Sequence, residues 1–109
     1  MLVFAPSFEA VERITVVLAR KSNSIESDGR PTIHMTPREL VLTLFEIDER
    51  CIVIPAHVWT PWFGLYGYKS GFDSLEECFG DVLKHISAVE TELSSDPAMC
   101  WQIPELDNF

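Results

Sequence analysis

The run Cys51-Ile52-Val53-Ile54-Pro55-Ala56 constrains this chain more than any other segment. It is continuously apolar instead of alternating, the pattern of a strand buried on both faces inside a parallel sheet flanked by helices. Two further short apolar runs, Leu2-Val3-Phe4 and Ile86-Ser87-Ala88-Val89, read as strands. Helical signals lie between them. Ser7 caps a helix with Phe8, Val11, Ile14 and Val17-Leu18 at helical spacing, ending near Arg20-Lys21. Thr36-Pro37-Arg38-Glu39 opens a second helix with a capping threonine, a proline in the first turn and a glutamate at N3. Its inner face is Leu40, Val41, Leu44, Phe45 and Ile47. A third helix starts at Ser74 with Glu77 at N3, and buries Leu75, Cys78, Phe79, Val82 and Leu83.

Residues 22–35, with Gly29 and Pro31, read as a surface loop, and residues 93–109 as a loop with one helical turn near Pro104-Glu105-Leu106. The order is therefore β-α-α-β-α-β with parallel strands, an α/β fold that forms a parallel sheet or part of a β/α barrel. Such folds gather chemistry at the carboxyl ends of their strands.

Composition narrows the function classes. A length of 109 residues allows one domain, over residues 1–109. Hydrophobic residues make up 47% of it, which argues against disorder. Eight basic and seventeen acidic residues give a net charge of −9, which excludes a uniformly basic nucleic-acid binder but not a site that handles phosphate through metal. Cys51, Cys78 and Cys100 are odd in number and widely separated, so they form no disulfide framework, and a reducing cytoplasm is the simplest compartment. No apolar stretch is long enough to span a membrane, and the N-terminus lacks the basic region of a secretion signal.

His57 directly follows the central strand and is the sharpest candidate, as a metal ligand or a general acid/base; a histidine hydrogen-bonded within its loop is the alternative. His34 and His85 read as structural or solvent-facing. After the last strand, Glu90, Glu92 and Asp96 are carboxylates that can hold hard cations or act as bases, in an acidic chain where carboxylates abound. The loop after His57 carries Trp59, Trp62, Phe63, Tyr66, Tyr68 and Phe72, with Lys69 as a local cation. Such aromatics either stack on bases or pack the loop onto the fold. The glycines here have no phosphate-loop form, and there is no nucleophile elbow.

Three segments together carry a resemblance: residues 54–63 (IPAHVWTPWF), 70–79 (SGFDSLEECF) and 88–97 (AVETELSSDP). They resemble the polymerase and histidinol phosphatase (PHP) superfamily, specifically its endonuclease Q-like branch, and Asp28-Gly29-Arg30-Pro31 fits the same branch. The resemblance implies a central segment of a distorted seven-stranded β/α barrel, a divalent metal cluster of zinc or manganese, and cleavage of a DNA phosphodiester beside a deaminated base or abasic site. It makes His57 a metal ligand and Glu90 and Asp96 catalytic candidates; from the aromatic loop itself, Trp59, Trp62 and Lys69 are candidates for substrate binding. The family's His-x-His pair, bridging Glu and Asp-x-His motif are expected before residue 1 and after residue 109. Thr91-Glu92-Leu93 stands where family members carry Thr-Gly-Leu, and Cys100 and Gln102 stand where they favour Asn and Arg. The expectation is an internal, truncated segment of a DNA-repair hydrolase that is inactive alone. The alternative is a non-catalytic α/β interaction module whose partner completes the open sheet edge.

Overall fold

The computed structural model describes residues 1–22, 32–59, 64–66, 71–91 and 97–109. They form β1 (Leu2–Phe4), α1 (Phe8–Ala19), α2 (Pro37–Ile47), β2 (Ile52–Ile54), α3 (Leu75–Phe79) and α4 (Pro97–Trp101). Gly80–His85 and Pro104–Asn108 are 3₁₀ turns. β1 pairs with β2 in a two-stranded sheet.

The expected fold class does not form. Among the described residues there is no third strand, no parallel pair and no barrel segment, so both the parallel pairing and the last element of the β-α-α-β-α-β order are corrected. At Ile86–Val89 the reason is local. The chain leaves the 3₁₀ turn by spending the Ile86 N–H on the Leu83 carbonyl at 2.9 Å, so that donor is committed to the turn and not to a ladder. β2 also departs from continuous burial. Val53 is fully buried while Ile52 is 51% exposed, the one-sided pattern of a sheet covered on a single face.

The chain divides into two compact units, Phe4–Ile52 and Met1–Val3 with Val53–Phe109. In the first, Ser7 accepts a hydrogen bond from the Ala10 N–H at 3.1 Å, and α1 buries Ala10 and Ile14. Phe8 and Val11, expected on the inner face, are exposed. α2 buries Val41 and Leu44 completely. Its capping box is present as read from the sequence: the Glu39 N–H donates to Thr36 Oγ1 at 3.1 Å, and the Thr36 N–H to Glu39 Oε2 at 2.9 Å. Replacing Thr36 with alanine should cost about 1 kcal/mol, read as a lower urea midpoint at unchanged m-value. Past the helix, Arg50 grips Asp48 with Nη2 on Oδ2 at 2.9 Å and Nε on Oδ1 at 3.1 Å. The hydrogen bonds from Arg50 hold that carboxyl down to about 2.

The second unit has its core in Val53, Val58, Leu75 and Phe79, all fully buried. Ser74 caps α3 by accepting from the Glu77 N–H at 3.0 Å. Gly80 has φ 57° and ψ −130°, a conformation that side chains oppose, and it ends the α-helix. The segment continues as the tighter 3₁₀ turn, which still buries Val82. α4 forms where the sequence reads as loop, with Pro97 at its first position. No helix among the described residues is long and apolar enough to cross a membrane.

Candidate functional site

β2 ends at Ile54 and delivers Pro55, Ala56 and His57 into a turn that Glu90 holds from across the chain. The Glu90 N–H donates to the Pro55 carbonyl at 2.8 Å, and the Glu90 carbonyl accepts from the Val58 N–H at 3.2 Å. Ala56 and His57 lie between those two bonds. His57 has φ 55°, and it is the non-glycine residue with positive φ among those described. The segment is a turn held by two long-range bonds and not part of a ladder.

The His57 N–H inside this turn has a partner. It donates to Glu90 Oε2 at 2.8 Å. The same oxygen lies 3.2 Å from His57 Nδ1. One carboxylate therefore meets both the backbone and the ring of one histidine, 33 residues away in the chain. The base of the turn is rigid, because Val58 is fully buried and its carbonyl accepts from the Tyr66 N–H at 2.6 Å. The top is open, with the His57 side chain 61% exposed.

Behind the turn lies an aromatic and acidic layer. The Trp59 and Tyr66 rings stand 5.1 Å apart and are tilted by 33°. Trp59 Nε1 is buried with no hydrogen-bond partner among the described residues. The Tyr66 hydroxyl donates to Glu105 Oε1 at 2.7 Å, and the Leu75 N–H donates to the same oxygen at 2.7 Å. Burial, reinforced by the Glu105 carboxylate, drives the Tyr66 phenol well above its ordinary range. Burial also pushes the Cys78 thiol up to about 12, and the buried Cys51 thiol moves in the same direction. Neither is an activated nucleophile. A groove of about 440 Å³ runs along Leu75, Asp81, Lys84, Ile86, Glu105 and Phe109, and His57 and Glu90 do not line it.

Of the residues singled out in the sequence, the structure brings His57 and Glu90 together and sets Trp59 against Tyr66. Asp96, Trp62 and Lys69 lie outside the described residues, as do Glu92 and the 28–31 loop. Glu105 carried no sequence signal. It sits in the helical turn read at Pro104-Glu105-Leu106, which forms as the 3₁₀ turn, and its partners are 39 and 30 residues distant.

The donor set can be tested against a metal. A carboxylate behind one ring nitrogen is the usual support of a ligating histidine. A catalytic zinc, however, takes about three protein ligands. Among the described residues, no group of three or more His, Cys, Asp or Glu side chains is placed to hold an ion. They fit one corner of such a site and do not make the site.

No family model matches the chain, and no curated protein does. A solved structure does: the lesion-specific endonuclease PfuEndoQ from Pyrococcus furiosus, 32% identical, with a TM-score of 0.80 over 94% of this chain. The chain spans 24% of that protein's length.

Proposed function

We propose that this chain is an endonuclease Q-like segment of a metal-dependent DNA phosphodiesterase, acting in repair of deaminated bases and inactive when alone. The observation that carries the proposal is the likeness to a lesion-specific endonuclease along nearly the whole chain, at an identity too high for shared fold alone. In this reading His57 is the ligand the chain offers to zinc or manganese, and Glu90 stands behind it instead of beside the substrate. The remaining ligands come from outside the described residues. When bound, such an ion polarises a phosphate and activates water. Trp59, Trp62 and Lys69 are the residues proposed to meet DNA, and Asp96 remains a catalytic candidate. A net charge of −9 makes such metal-mediated contact with phosphate more reasonable than a basic surface.

Two assays test this. The chain with Mn²⁺ or Zn²⁺ and DNA containing uracil or hypoxanthine should give no nicking, and robust nicking that disappears in His57→Ala would overturn the inactivity. Transplanted into PfuEndoQ in place of the matching quarter, the chain should support nicking. His57→Ala in that chimera should then lose at least about 100-fold, the upper end of what removing an outer partner of a metal ligand costs. An active chimera indifferent to His57→Ala would remove the histidine from the proposed site.

A further inference from the structure

We infer that Glu90 is a positioning residue: its single oxygen Oε2 locks His57 both in its left-handed backbone conformation and in the Nδ1–H tautomer, so that Nε2 carries the ring's lone pair. The inference deepens the proposed role of His57, but its evidence is independent of metal or DNA.

Three observations converge on it. First, a histidine at φ 55° occupies a region that L-residues avoid, because their Cβ crowds the backbone there. Such a conformation persists only where its surroundings impose it. Second, the imposing group is identifiable. The backbone of Glu90 brackets the turn through Pro55 and Val58, at 2.8 and 3.2 Å, and its side chain takes the His57 N–H inside this bracket, at 2.8 Å. Backbone and side chain of one residue thus define the conformation of another. Third, Oε2 is 3.2 Å from Nδ1. A carboxylate accepts and does not donate, so it favours the tautomer with the proton on Nδ1. In a neutral imidazole the two nitrogens divide the roles of donor and acceptor, so fixing one fixes the other.

This reassigns Glu90. As a general base it would need its oxygens directed at a substrate proton. Instead Oε2 is engaged twice by His57. Loss of Glu90 should therefore alter which nitrogen His57 presents before it alters any reaction.

Histidine-labelled chain, without metal or DNA and at a pH where imidazole is neutral, provides the readout. Long-range ¹H–¹⁵N correlations should show His57 mainly as the Nδ1–H tautomer. Glu90→Ala should shift it toward the Nε2–H form that predominates in an unconstrained histidine side chain, with His34 and His85 unchanged as internal references. The His57 amide should then exchange about 10-fold faster or more, as expected for loss of a hydrogen bond to a charged group. Glu90→Gln keeps an acceptor for the amide and removes the charge. With its oxygen in the place of Oε2, it should retain much of the amide protection and weaken the tautomer preference without abolishing it, because the charge is gone but the acceptor stays; it carries the test if the alanine variant does not fold. A predominant Nε2–H tautomer in the unaltered chain would overturn the inference. So would a tautomer ratio that both variants leave unchanged. Failure of the nicking assays leaves these readouts untouched, so the two proposals fall separately.

Discussion

Truncating Phe79 to alanine should lower the unfolding free energy of the chain by about 3–5 kcal/mol, the range for deleting a buried aromatic side chain from a core. Phe79 is fully buried at the end of α3, and it is the largest of the fully buried side chains. Its removal takes away contacts on every side at once. Directly after it, Gly80 in its unusual conformation fixes the path of the chain, so the backbone has little freedom to close the cavity. The contrast is Phe8, which is 90% exposed at the start of α1. Phe8→Ala should stay within about 0.5 kcal/mol of the parent. Urea unfolding of both variants checks the pair. Equal losses would contradict the burial that separates these two phenylalanines.

Glu105→Ala should cost about 2–3 kcal/mol, because one carboxylate oxygen accepts from both the Tyr66 hydroxyl and the Leu75 N–H at 2.7 Å. The second bond ties the tail to the first residue of α3, whose N–H has no partner within the helix. Glu105→Gln keeps an acceptor without the charge and should recover roughly half of the loss. A double-mutant cycle with Tyr66→Phe isolates the tyrosine bond and should give a coupling of about 1–2 kcal/mol. The pH dependence has a defined sign. The Tyr66 phenol is raised mainly by burial and then by Glu105, and the Cys78 thiol is raised by burial from 9.0 to about 12. Each group stays neutral in the folded chain at a pH where the unfolded chain has begun to ionise it. Their contribution is complete below the unfolded values of about 9 and 10, and drains away as pH rises beyond them. Urea midpoints should fall steadily above pH ~9, and Tyr66 absorbance should report phenolate only as the chain unfolds. A midpoint flat through pH ~11 would exclude the linkage.

Local chemistry was legible where a few adjacent residues suffice. The capping box at Thr36 and Glu39, and the caps at Ser7 and Ser74, need only three residues of context, and each forms. His57 stood out because it follows a strand, and Glu90 because it follows the third apolar run. Their meeting was not legible, since it depends on a turn that two long-range bonds to Glu90 hold. The misreadings have the same origin. Continuous apolarity at residues 51–56 suggested burial on both faces, yet exposure of Ile52 depends on what else packs there. The helical spacing of Phe8 and Val11 matches an inner face, but the end of α1 that carries them lies uncovered. Ile86–Val89 has the composition of a strand, and a turn bond at its first residue commits the donor elsewhere. Glu105 illustrates the limit most sharply, because a glutamate in a polar tail is unremarkable until the two groups it joins are seen.

The left-handed turn at His57 also separates two selective pressures on one position. For folding alone, glycine suits φ 55° best and asparagine next, while histidine carries a cost there. Random variants of this chain sorted only for resistance to proteolysis should therefore drift away from histidine at position 57. Sorting for chemistry should pull the other way, because neither replacement offers an imidazole nitrogen. A lineage that no longer used the site would be expected to show its disuse first at this turn, well before its core changed.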